Sequence, residues 1–136
     1  MTSKRSFLAL LGAVLVACGF AARAQSAAPA RPQFLCLLRL PARLHDRNAW
    51  TDKDNAAVSA HFARLARGAE AGQVVLAGRT SEPLDQSFGI VIFEADNEEA
   101  ARAFMNADPA VQAGVMTATL HPYSIALQRK QPATAP

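Results

Sequence analysis

The chain offers few side chains able to do chemistry near neutral pH: His45, His61, His121, Cys18 and Cys36. His61 is the best placed of them. It lies in a stretch from Thr51 to Thr80 that reads as a polar start, an amphipathic helix, a glycine stop at Gly72 and an apolar strand. Thr51 suits an N-cap, with Asp54 three residues on as the short form of a capping box. At about 100° per residue, Val58, Phe62, Leu65 and Ala69 form one narrow stripe expected to be buried, while Arg64, Arg67 and Glu70 point elsewhere. His61 then falls about 60° from the stripe's centre, at the edge of the buried face. A titratable ring there is partly desolvated and still reaches a cavity. His45, beside Arg43 and Arg47 in the loop from Pro41 to Trp50, reads as part of a solvated loop anchored by Trp50. His121, next to Pro122 and Tyr123, reads as a sheet residue with a solvent contact, the alternative being that it lines the same cavity as His61.

The histidines lack short ligand spacing, and Cys36 sits in an apolar strand, so no metal site is expected. Cys36 there reads as a small core hydrophobe rather than a nucleophile. The segment GQVVLAG from Gly72 to Gly78 has neither the phosphate fingerprint nor a following helix, so no cofactor is expected either. No Ser or Cys stands out for covalent hydrolysis.

The elements that must position His61 follow from periodicity. Phe34 to Leu40 is a strand apolar on both faces, the helix follows, and Val74 to Ala77 is a second strand. Gly78 to Phe88 carries turn chemistry, and Gly89 to Ala95 is a third strand, again apolar on both faces. Asp96 or Asn97 caps a second helix that has Glu98 and Glu99 in its first turn and runs to about Met105. Asp108 caps a short helical turn with Pro109 at its first position, and Gly114 ends it. Met116 to Leu127 is the fourth strand, where Pro122 implies an edge, a bulge or an interruption. The order β-α-β-β-α-β is the split βαβ, or ferredoxin-like, α+β fold with a four-stranded antiparallel sheet and both helices on one face. Its other face would be an exposed apolar patch, so a homodimer with sheets face to face is expected.

Length and charge limit the remaining readings. The 136 residues suit one domain with an appendage. Three of the 14 basic residues, Lys4, Arg5 and Arg23, fall in residues 1–24, which hold no acidic residue, so the remainder carries 11 of each sign. The pI near 9.3 therefore reflects the leader, and no basic stripe supports nucleic-acid binding. Lys4 and Arg5, the apolar run from Phe7 to about Ala17, and Ala22-Arg23-Ala24 form an export signal over residues 1–24, too short for a membrane span. The expected localisation is periplasmic or secreted. Leu15-Val16-Ala17-Cys18 also resembles a lipobox, the alternative being a lipoprotein anchored through Cys18. Residues 25–32 read as a linker, 33–128 as the folded domain and 129–136 as a disordered tail.

HFARL from His61, GQVVLAG from Gly72, GIVIFEADNEEAARAF from Gly89 and above all DPAVQAG from Asp108 resemble the YciI-like, YCII-related family. The resemblance runs from Phe34 to Leu127. It implies a dimeric α+β barrel akin to muconolactone isomerases and small cofactor-free monooxygenases, and a His and Asp active-site pair at His61 and Asp108. A carboxylate bonded to one imidazole nitrogen fixes the tautomer and leaves the other nitrogen to move a proton, which supports isomerisation or elimination. The expected function is general acid–base chemistry on a small organic molecule in a pocket between sheet and helices. The alternative is a non-catalytic small-molecule-binding or partner module on the same fold. The export signal sets the chain apart from the familiar cytoplasmic members, so no substrate transfers with the resemblance.

Overall fold

The structure is a computed structural model that describes residues 31–128. The expected export signal over residues 1–24 with Cys18, most of the expected linker and the expected tail lie outside the described residues. Among the described residues no helix is long and apolar enough to cross a membrane.

The elements follow the expected order. Strand β1 is Gln33–Arg39, helix α1 Asp52–Glu70, β2 Val74–Arg79, β3 Phe88–Glu94, α2 Glu98–Asn106, α3 Pro109–Gln112 and β4 Thr117–Tyr123. Two short 3-10 turns, Ala42–Leu44 and Arg47–Ala49, fill the loop after β1. The sheet order is β2-β3-β1-β4, with every neighbouring pair antiparallel. This is the four-stranded ferredoxin-like α+β arrangement.

Local chemistry sets the element ends. The Thr51 hydroxyl accepts the Asp54 N–H at 3.2 Å, and the Asp54 carboxylate accepts the Thr51 N–H at 3.0 Å. Aspartate thus closes a full reciprocal capping box. Gly72, at φ 77°, ends α1 and Gly114, at φ 67°, follows α3, both in the left-handed region that glycine enters without strain. Asn97, rather than Asp96, caps α2, accepting the Ala100 N–H at 2.8 Å, while Asp96 pairs with Arg31. β4 is an edge strand, which accommodates Pro122, and it stops at Tyr123, short of the expected Leu127.

Alternation divides the sheet cleanly. Phe34, Cys36 and Leu38 of β1, with Val91 and Phe93 of β3, face the helices and form the main core with Leu65 and Ala101. A second cluster of Leu44, Ala110 and Val115, joined by Val58 and Trp50, ties α1 to α3 and the 3-10 loop. Trp50 anchors that loop by donating its indole N–H to the Leu44 carbonyl at 3.0 Å. The other face carries Leu35, Leu37, Phe88, Ile90 and Leu76, with Leu76 49% exposed and none of the described elements over it.

The helix stripe differs from expectation. Phe62 is 73% exposed and Ala69 is also exposed. The face of α1 turned inward carries Asp54, Ala57, Val58, His61, Arg64, Leu65 and Gly68, which puts His61 at its middle rather than its edge. The stripe is rotated because Asp54, His61 and Arg64 find hydrogen-bond partners inside, which offsets the cost of burying them. Gly68 completes this face: a Cβ there would lie 2.7 Å from Val74 Cγ2, so the missing side chain lets α1 approach β2 closely.

Candidate active site

His61 projects from the middle of α1 toward the start of α3, where Asp108 is the N-cap. One Asp108 oxygen, Oδ1, accepts the Ala110 N–H at 2.9 Å, the expected cap, with Pro109 at the first helical position. The other, Oδ2, accepts a hydrogen bond from His61 Nδ1 at 2.8 Å. A single carboxylate therefore both caps and orients the imidazole. The side chains are only 12% and 6% exposed.

The electrostatics follow from these contacts. Burial pushes the Asp108 carboxyl up, but the His61 hydrogen bond and charge, the Ala110 N–H and the Arg64 guanidinium outweigh it and hold it below its ordinary value. An ionised acceptor requires a proton on Nδ1. The lone pair of a neutral ring is then on Nε2, which has no protein partner among the described residues. This is the arrangement a general base needs.

The sequence pattern placed Arg64 away from the core, yet it belongs to this cluster. Its Nη2 donates to the Phe104 carbonyl at 2.8 Å, its guanidinium stacks 4.0 Å from the Phe104 ring centre, and Nη1 lies 3.6 Å from Asp108 Oδ2. The available signal was spacing, since a residue three after His61 shares its helix face. Arg43 was also missed: it donates to Asp54 at 2.9 Å and to the Gly114 carbonyl at 3.3 Å, linking the start of α1 to the end of α3.

The other candidates stay apart. His121 lies opposite Leu35 on the outer sheet face, so it cannot line a cavity on the helix side. His45 is exposed and bonds the Leu40 carbonyl at 3.2 Å. Cys36 is in the core, where burial and then the Asp108 charge push its thiol up to about 11, leaving it protonated and inert. Among the described residues no three His, Cys, Asp or Glu side chains converge to hold a metal.

Where a pocket between sheet and helices is expected, the described residues leave only a small cavity. The cavity beside the pair is about 10 Å³, lined by Cys36, Leu38, Arg64, Phe104, Met105 and Asp108, among others, enough for one water-sized atom. Close packing of Phe104 on Phe93, with ring centres 4.5 Å apart, fills the rest. An organic molecule must therefore meet His61 from its Nε2 side. A wider cleft of about 200 Å³, lined by Gly78, Arg79, Thr80, Phe88 and Ile90, lies away from both His61 and Asp108.

A split βαβ sheet with a buried histidine–aspartate pair between two helices defines an α+β protein of ferredoxin-like class. The YCII-related domain model matches residues 30–120, and the chain belongs to that family. A search among curated proteins found no match. Among solved structures, 5-chloro-2-hydroxyhydroquinone dehydrochlorinase from Burkholderia phenoliruptrix, in complex with 2,5-dihydroxybenzoquinone, is 16% identical, with 68% of this chain and 93% of that one covered and a TM-score of 0.46.

Proposed function

We propose that this is an exported, homodimeric YCII-related enzyme in which His61, oriented by Asp108, moves a proton to or from a small organic molecule. The observation that carries the reading is the 2.8 Å bond from His61 Nδ1 to an ionised, buried carboxylate. That bond commits one nitrogen and leaves Nε2 to do chemistry. Such a pair serves isomerisation, elimination or proton abstraction, and needs no covalent intermediate. The protein, screened by thermal shift against small metabolites with hits checked for product by mass spectrometry, should convert at least one hit, and His61→Ala should not. Equal conversion by both proteins would end this reading.

A second reading, a non-catalytic binding or partner module, is favoured by the cleft of about 200 Å³ lined by Arg79, Thr80 and Phe88, which lies away from the pair. It expects hits bound without product. The homodimer is supported by the apolar outer face of the sheet, whose burial against a second copy would remove Leu35, Leu37 and Ile90 from water. Light scattering at micromolar concentration should give twice the mass of one chain, and a clean monomer would refute it. Export rests on residues 1–24. Cell fractionation with intact-mass measurement distinguishes cleavage after Ala24 from lipidation at Cys18.

A further inference from the structure

Arg64 is more constrained than a packing residue needs to be. Its Nη2 closes off the Phe104 carbonyl at the end of α2, and its plane lies on the Phe104 ring, which together account for half of the guanidinium. The other half, Nη1, is buried and makes no hydrogen bond among the described residues. It faces Asp108 Oδ2 at 3.6 Å, and both residues line the small cavity. Buried donors are nearly always paired, so an unpaired one held in place by two other contacts calls for a reason.

We propose that Arg64 is a positioning residue of the His61–Asp108 pair: its fixed positive charge beside Asp108 Oδ2 offsets the pull of the carboxylate on the imidazole and so leaves His61 able to act as a base. This rests on the reading of His61 and Asp108 as the functional pair. The arrangement is a balance of charges. With Asp108 alone beside it, the ring would be drawn toward imidazolium, because an anion within hydrogen-bond distance favours the cation. Arg64 already supplies the compensating positive charge to the same oxygen, so a second cation there gains little and is repelled by the first. The carboxylate still fixes the tautomer through Nδ1, and Nε2 keeps its lone pair.

The groups facing the pair are few. From α1 they are Arg64 itself and, two turns earlier, Asp54, which Arg43 neutralises. From α3 there is Asp108, from α2 the Phe104 carbonyl and ring, and from β1 the protonated Cys36 thiol. Arg64 is therefore the one permanently charged cation within ion-pair distance of Asp108 among the described residues.

The test is the NMR titration of His61 in the full protein, following its ring proton and nitrogen resonances from pH 5 to 9 in wild type, Arg64→Met and Arg64→Lys. Methionine keeps the aliphatic stem and a contact with Phe104 but removes the charge. The midpoint in Arg64→Met should rise by about one pH unit, the size expected of a unit charge removed at this range under protein screening. Arg64→Lys, which retains charge, should stay nearer wild type. A midpoint within about 0.2 unit of wild type in Arg64→Met, or equal shifts for Met and Lys, would overturn the proposal. A purely structural Arg64 would lower the melting temperature without moving the titration. If Arg64→Met fails to fold, Arg64→Gln, able to bond the Phe104 carbonyl, gives the same readout. No substrate is needed, so absence of turnover with the shift intact would remove the functional reading and leave the role of Arg64 standing.

Discussion

Asp108→Asn separates the two tasks of one carboxylate. Asparagine caps helices about as well as aspartate, so the bond from the Ala110 N–H, 2.9 Å in the wild type, should survive and α3 should stay formed. The second oxygen becomes an NH₂ group, which faces His61 Nδ1 where a carboxylate accepted at 2.8 Å. Two donors cannot pair. The ring must therefore switch tautomer, moving its proton to Nε2 and losing the lone pair needed for base chemistry. In a triad hydrolase the same exchange lowers turnover by about 10⁴-fold through the wrong tautomer, and a loss of about 10³-fold or more is expected here. Arg64 also loses its counter-charge; with its side chain 20% exposed, that should cost about 1–2 kcal/mol of stability.

The pH dependence follows with its sign. The carboxyl is held below its ordinary value in the folded state, so its contribution is present above the unfolded value of about 4 and is lost as pH falls through the lower folded value. Wild type should lose this stability below roughly pH 4, and Asp108→Asn should lack that component. The assay is ¹⁵N NMR of the His61 ring, which distinguishes Nδ1–H from Nε2–H without substrate, together with melting curves from pH 2 to 7. An unchanged tautomer with full activity would refute the reasoning and leave Asp108 a cap.

Gly68→Ala gains about 1 kcal/mol of helix propensity but sets a Cβ 2.7 Å from Val74 Cγ2, and overpacking a buried β-branched side chain costs about 1–3 kcal/mol, so thermal melting should show a net loss of about 1 kcal/mol and a gain would contradict the packing. Leu37→Glu, at the centre of the outer sheet face, should reduce the proposed dimer to a monomer by light scattering while leaving the far-UV spectrum intact; a dimer retained in the variant would place the interface elsewhere. Cys36 should resist a maleimide at pH 7.5 in the folded protein and react fully in denaturant, as read by peptide mass mapping, because its thiol is buried and pushed up to about 11.

The element order was legible because its signals are local. Capping residues at Thr51 and Asp108, glycines at Gly72 and Gly114 and the short continuous apolar runs of β1 and β3 act within a few residues of themselves. The rotation of α1 was not legible. Hydrophobicity gives Phe62 to the core, yet its side chain faces solvent, since the inward face is set by what Asp108, Phe104 and Val74 offer to His61, Arg64 and Gly68. Asp108 and Phe104 lie 47 and 40 positions from the side chains they meet, beyond any helical window, and Val74 lies past the end of α1 in the next strand. The pairing of His61 with Asp108 came from family likeness, and Arg64, on the same face, was passed over as a surface charge. His121 shows the converse: strand alternation opposite Leu35 decides which side of the sheet it faces, and that register is fixed by pairing with β1.

Proton transfer at His61 is most directly tested by deuterium exchange. A ligand found by thermal shift and carrying an acidic C–H is incubated in D₂O with wild type or His61→Ala, and its mass is followed with time. Uptake of deuterium with wild type, and none above the uncatalysed rate with His61→Ala, is the predicted result. Equal uptake with both proteins, or none with either despite saturated binding, would contradict the account and leave the pair a structural or binding element.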